Sequence, residues 1–214
     1  MYASNPSPSE PNSPQPSPDR LAQQLRFIIE IDRLKTILRQ TPLADGSRRE
    51  NSAEHSWHLA LMAMLLAEHS GTPDLDLFRV VKLVLVHDII EIDAGDTFFY
   101  DEQANLDKHE RETLAAARLF ALLPADQAVE MQALWEEFEH QQTAESRFAN
   151  ALDRLQPLLL NVQSGGGSWR AHSITHDRVL VRMRPIETAS PSLWAAVEQM
   201  LEESIRSGIL APAP

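Results

Sequence analysis

Residues 83–92 read Leu-Val-Leu-Val-His-Asp-Ile-Ile-Glu-Ile, and three ionisable groups, His87, Asp88 and Glu91, stand inside an otherwise aliphatic run. A segment of this kind belongs to a core, and a core that admits charge must neutralise it with another charge or a metal. His87 and Asp88 are therefore either a buried ion pair or part of a cation-holding site. The helical spacing of Leu77, Val80, Val84 and His87 puts the run on the inner face of a helix. That helix is opened by Gly71-Thr72-Pro73 and reaches about Ile92.

Towards the N-terminus, Ser52 is a good N-cap for a helix to about Ser70, whose inner face carries His55, Leu59, Met62 and Leu66. Pro42 and Ala44-Asp45-Gly46 interrupt the chain before it. Leu21, Leu25, Ile28, Ile31, Leu34 and Leu38 mark a first amphipathic helix from Asp19. The first nineteen residues hold six prolines and five serines, and are expected to be a disordered tail.

Towards the C-terminus, residues 92–105 lack a clear period and read as a loop of functional size. Further helices are expected at about 106–123, 126–140, 144–163, 175–188 and 191–207, with Pro124, Thr143, Gly165–Gly167 and Pro191 as punctuation. Inside the 144–163 helix, Asp153 is again an acid in an apolar period, between Leu152 and Leu155. No strand is expected. The reading is an all-α bundle of about six to eight helices.

Composition narrows the function. The 214 residues suffice for one domain with a real core. There is no cysteine, so disulfides, thiolate metal sites and thiol nucleophiles are excluded, and any metal must sit on His, Asp and Glu. The longest clearly apolar run, Leu59 to Ala67, is nine residues, against the ~20 that span a bilayer. A soluble, cytoplasmic protein without membrane contact is expected. A net charge of −12 opposes nucleic-acid binding, although a small anion can still enter a pocket whose field is locally reversed. Walker-type, dinucleotide-binding and serine-elbow motifs are absent, which favours water as nucleophile.

His55, the His87-Asp88 pair and Asp153 come from three helices, at separations of 32 and 65 residues. Their borderline N and O donors suit a first-row divalent metal in a bundle core. Each has a plainer reading as a core histidine or an ion pair. It is the ordered set that points to a site.

That set resembles the HD-domain metal-dependent phosphohydrolases, in the branch of the bacterial 5′-deoxynucleotidases and the human HD-domain-containing protein 2 group. Arg49-Glu50-Asn51-Ser52-Ala53-Glu54-His55-Ser56 is similar to that branch's first ligand motif. His87-Asp88 with Glu91 and Gly95-Asp96 is similar to its second, and Leu152-Asp153-Arg154 to its third. The resemblance covers about residues 20–165 as an HD-type metal-binding helical domain, with 166–214 as C-terminal helices packed on it. It implies metal ligation by His55, His87, Asp88 and Asp153, catalytic roles for Glu91 and Asp96, a phosphate contact by Arg48, and a homodimer. In this branch an Arg-Trp pair grips phosphate and packs on the nucleoside. This chain has Gln40 and Thr41 before Pro42, with Arg39 the nearest guanidinium and no aromatic.

Residue chemistry fits these roles. Glu91 lies one helical turn after His87 and Asp88, and Asp96 follows a glycine just past the helix end. A metal that activates water, an acid that orients it and an acid that protonates the leaving alkoxide make a phosphomonoesterase. The expectation is hydrolysis of a small phosphorylated metabolite, a nucleoside 5′-monophosphate, with one divalent ion (Co, Mn, Zn, Fe, Ni or Mg). The alternative is a non-catalytic metal- or nucleotide-binding regulatory module. A di-iron oxygenase using His109 and His140 is the third reading.

Overall fold

The computed structural model describes residues 18–214. The tail expected over 1–19 thus lies outside the described residues, except that Pro18 and Asp19 already belong to the first helix. The chain forms α1 (Pro18–Ile31), β1 (Leu38–Pro42), β2 (Arg49–Asn51), α2 (Ser52–Leu66), α3 (Leu77–Val86) and α4 (Glu91–Ala94). There follow α5 (Lys108–Phe120), α6 (Ala125–His140), α7 (Ala144–Gln163), α8 (Gly167–Ala171), α9 (His176–Met183), α10 (Pro185–Ala189) and α11 (Pro191–Arg206). The expected six to eight helices correspond to the longer elements; α4, α8 and α10 are pieces of four or five residues. Among the described residues no helix is long and apolar enough to cross a membrane.

Helix α7 is the spine, with α2, α3, α6 and α10 packed around it. Its limits match the expected 144–163, because Thr143 caps it in a box with Ser146. Leu152, Phe148 and Leu158 on α7 meet Leu59 of α2 and Leu83 of α3 in a core closed to solvent. Pro157 lies inside α7 and lacks the N–H that would bond the carbonyl of Asp153, four residues back.

Three expectations need correcting. The first helix does not run to Leu38: it ends at Ile31, passes into a 3₁₀ turn over Asp32–Thr36, and gives way to β1. Leu21, Leu25, Ile28 and Leu38 are exposed, and α1 packs instead through Arg20 on Asp126, Gln24 on Gln127 and buried Phe27. Secondly, a short antiparallel hairpin, β1 against β2, exists where no strand was expected. It turns at Gly46, whose φ of +70° favours glycine. Thirdly, the helix through Val84 starts at Leu77 with Asp76 as its cap, and breaks into a 3₁₀ turn over His87–Ile90 before α4.

Helix α2 begins one residue from its expected cap. Asn51 is the N-cap, its side chain accepting from the Glu54 N–H while Glu54 reaches back to the Asn51 N–H. Replacing Asn51 with alanine should lower stability by ~1 kcal/mol in urea denaturation, the usual cost of losing such a cap.

Candidate metal centre

His55 projects from the first turn of α2, with no exposure to solvent. Its Nδ1 faces the Gln156 side-chain carbonyl at 3.0 Å, and its Nε2 faces Asp153 Oδ1 at 2.9 Å. Gln156 is itself oriented, because its amide N–H donates to the buried Glu50 carboxylate at 2.6 Å. The amide oxygen must therefore point at His55 and accept from Nδ1–H, which leaves Nε2, against the Asp153 carboxylate, as the nitrogen that a cation would take in place of a proton.

His87 is held in the same manner from another element. Its Nδ1 lies 2.9 Å from the carbonyl of Val84, which can only accept. Its Nε2 is buried and makes no hydrogen bond, although it lies 3.0 Å from Asp88 Oδ1 and 3.8 Å from Asp153 Oδ1. Donor atoms of His55, His87 and Asp153 all lie within 4.8 Å of one another. An unbonded imidazole nitrogen facing a second imidazole and carboxylates is the arrangement a divalent cation fits, with outer hydrogen bonds fixing both rings.

Asp88 stands beside this trio, its Oδ2 4.0 Å from His55 Nε2 and accepting from Arg39 Nη1 at 2.9 Å. Glu91 is buried, accepting from Ser52 Oγ at 2.6 Å. Gly95, with φ +74°, turns the chain after α4 and brings Asp96 back, so that its Oδ1 lies 3.7 Å from Arg39 Nη1. The structure thus brings together six of the seven residues singled out by sequence: His55, His87, Asp88, Glu91, Asp96 and Asp153.

Arg48 is not brought there. It is exposed on the hairpin and forms a two-pronged pair with Glu54. The guanidinium at the site is Arg39, largely buried, within 4 Å of Glu50, Asp88, Asp96 and Asp153. Glu50 and Gln156 were also missed. The only signal for Gln156 was its place three residues after Asp153 on the same helix face; for Glu50 there was its neighbourhood in the first motif. His109 and His140 are exposed and stand outside the donor cluster.

Electrostatics follow from burial and crowding. Burial resists a charged His87 ring, but Asp88 and Asp153 outweigh it and hold the pKa up at about 10. Burial likewise opposes ionisation of Asp153, yet the hydrogen bond from His55 and the positive charge of the nearby His87 ring keep it well below the carboxylate range. Glu91 and Asp96 shift the other way. Burial raises both, with Asp88 adding repulsion, while Arg39 pulls against the rise.

The model of the HD domain matches residues 31–194, more than half of the chain. The chain belongs to the HD domain family. A crystal structure of a predicted metal-dependent phosphohydrolase from Magnetospirillum magnetotacticum is 55% identical, with a TM-score of 0.85 over 90% of this chain and 99% of that one. The 5′-deoxynucleotidase HDDC2 of Xenopus laevis is 35% identical over 136 residues, and that of Homo sapiens 34%. These matches cover 63% of this chain and 66% and 65% of the relatives, so the chain spans just under two-thirds of their length.

Because His87 is raised from 6.5 to about 10, the metal-free HD domain keeps its imidazole proton at neutral pH and loses it as pH climbs through that window. A divalent ion must displace that proton. Calorimetric titration with Mn²⁺ should show at least about one proton released to buffer at pH 7, and affinity rising with pH up to about 10. Heats independent of buffer ionisation enthalpy would contradict this.

Proposed function

We propose that this HD domain protein is a metal-dependent phosphomonoesterase acting on a small phosphorylated metabolite, a nucleoside 5′-monophosphate. The observation that carries the reading is the convergence of two inward-facing imidazole nitrogens with Asp153, beside two further buried acids and one buried arginine. The deoxynucleotidase relatives and the phosphohydrolase-like structure support the same chemistry.

One divalent ion would be held by His55, His87, Asp88 and Asp153. When bound, it supplies Lewis acidity to a phosphoryl oxygen and lowers the pKa of water. Arg39 presents a planar fork of N–H donors and exchanges its contact with Asp88 for phosphate oxygens. Glu91, anchored by Ser52 Oγ, orients the attacking water from the buried side. Asp96 lines the open cavity and holds its proton more tightly than an ordinary aspartate, so it donates that proton to the leaving alkoxide oxygen. A cytoplasmic location, where such metabolites are kept, goes with this reading.

Phosphate release from a panel of nucleoside and deoxynucleoside monophosphates, with metal-stripped protein reloaded with Co²⁺, Mn²⁺ or Zn²⁺, tests it. Asp88→Ala and Glu91→Gln should each lose at least ~100-fold in kcat. Asp96→Asn should lose far less on p-nitrophenyl phosphate, whose leaving group needs no proton, than on a nucleotide. Metal bound by wild type without release from any phosphomonoester would leave only the binding-module reading.

We also infer a homodimer. Helix α2 leaves Trp57, Leu61, Met64 and Leu65 exposed on one face, and α3 leaves Phe78 and Leu85 exposed. Apolar side chains grouped in this way mark an association surface. Light scattering after size exclusion should give a dimer's mass for wild type and a monomer's for Leu65→Glu.

A further inference from the structure

The cavity that holds Asp96 and Asp153 has a second wall, which the proposed chemistry does not use. The loop after Gly95 contributes Phe98, Phe99 and Tyr100, α8 contributes Trp169, and α7 contributes Arg154, the residue after Asp153. The guanidinium of Arg154 lies 5.0 Å from the centre of the Phe99 ring, and that of Arg182 lies 4.5 Å from it. Arg178 lies 5.6 Å from the centre of the Tyr100 ring.

These arginines are spent unusually for so acidic a chain. The net charge is −12, yet among the described residues none of the three forms a salt bridge. Arg154 donates from Nη1 to the Arg182 carbonyl at 2.9 Å, while its Nε is buried with no hydrogen-bond partner. A buried N–H left unpaired costs the full desolvation of that group, so it is a place where a ligand acceptor gains most.

We propose that this wall is a nucleobase subsite. The flat ring of the nucleotide stacks against the aromatic wall at Phe99 with its edge towards Arg154, and the unfilled Arg154 N–H donates to an acceptor in the plane of the base. The proposal rests on the reading of the substrate as a nucleoside monophosphate. Aromatic faces and guanidinium planes both stack on bases, and every base carries an in-plane acceptor for an arginine. An aliphatic phosphorylated metabolite would use neither the flat surface nor the orphaned donor. Adjacent Cα atoms lie about 3.8 Å apart, so Asp153 and Arg154 offer a phosphate site and a base site within the reach of one nucleotide. Gln40 and Thr41 line the cavity too, and supply no ring, so stacking falls to the 98–100 loop.

The test compares deoxyadenosine 5′-monophosphate with deoxyribose 5-phosphate, which lacks the base, on the metal-loaded full chain. For wild type, kcat/KM should favour the nucleotide. Phe99→Ala and Arg154→Gln should each lower the nucleotide-to-sugar ratio by about ten-fold, the size of one lost base stack, through KM rather than kcat. Inhibition by the product deoxyadenosine should weaken in both variants, a readout independent of turnover. Equal losses on both substrates would mean that the variants act only through the neighbouring Asp153, and would overturn the subsite. So would an unchanged ratio in both. Failure of the parent reading looks different: no phosphate would be released from either substrate by wild type.

Discussion

Everything at the site depends on which way two imidazole lone pairs point. A neutral histidine has one donor and one acceptor nitrogen, and the ring will present either unless its other side is committed. Gln156, turned by Glu50, commits His55 Nδ1, and the Val84 carbonyl commits His87 Nδ1. Both partners are buried, so water cannot compete for them. The two Nε2 atoms then face the same small volume from different elements. A divalent ion needs that convergence before any metal chemistry is available.

The same volume concentrates negative charge. Glu50, Asp88, Glu91, Asp96 and Asp153 crowd around it, and Arg39 is the one guanidinium that reaches four of them within 4 Å. Arg39 arrives on β1 and Glu50 on β2, with Leu38 and Arg49, next to them, turned outwards. Strand alternation accounts for these two pairs, while Gln40, on the other side of Arg39, lines the cavity with it across an irregularity in the hairpin register. A helix carrying Arg39 would have spread its neighbours over a 100° stripe instead. The hairpin is thus small in residues but delivers the cation that balances the cluster and the acid that orients Gln156.

This also explains what was legible in the sequence and what was not. Helices α2, α3, α5, α6, α7, α9 and α11 were readable because aliphatic side chains at helical spacing fill the core. His87-Asp88 stood out because charge inside such a run is expensive. The strands Leu-Arg-Gln-Thr-Pro and Arg-Glu-Asn show no apolar alternation, since their inner residues are polar and are held by the site itself. For α1, leucines at 21 and 25 suggested the inner face, yet Arg20, Gln24 and Phe27 do the packing. Arg48 and Arg39 differ only in where the chain folds: one reaches Glu54 across the helix cap, the other enters the core. Glu50 and Gln156 gave only the weak signal of standing near a candidate ligand, because a polar side chain that acts through another residue has no spacing rule of its own.

For an acidic chain to accept a phosphate monoester, as proposed, its field has to reverse over a few ångströms, and α7 offers the means. Asp153 turns into the donor cluster, and its immediate neighbour Arg154 turns towards the aromatic wall, so a negative and a positive group leave one backbone position in different directions. In a regular helix successive residues diverge by about 100°. That geometry separates the His55, His87 and Asp153 cluster from the Phe98–Tyr100 and Trp169 wall. Because more than half of α7 is buried, the distance between Asp153 and Arg154 is set by a helix held in the core.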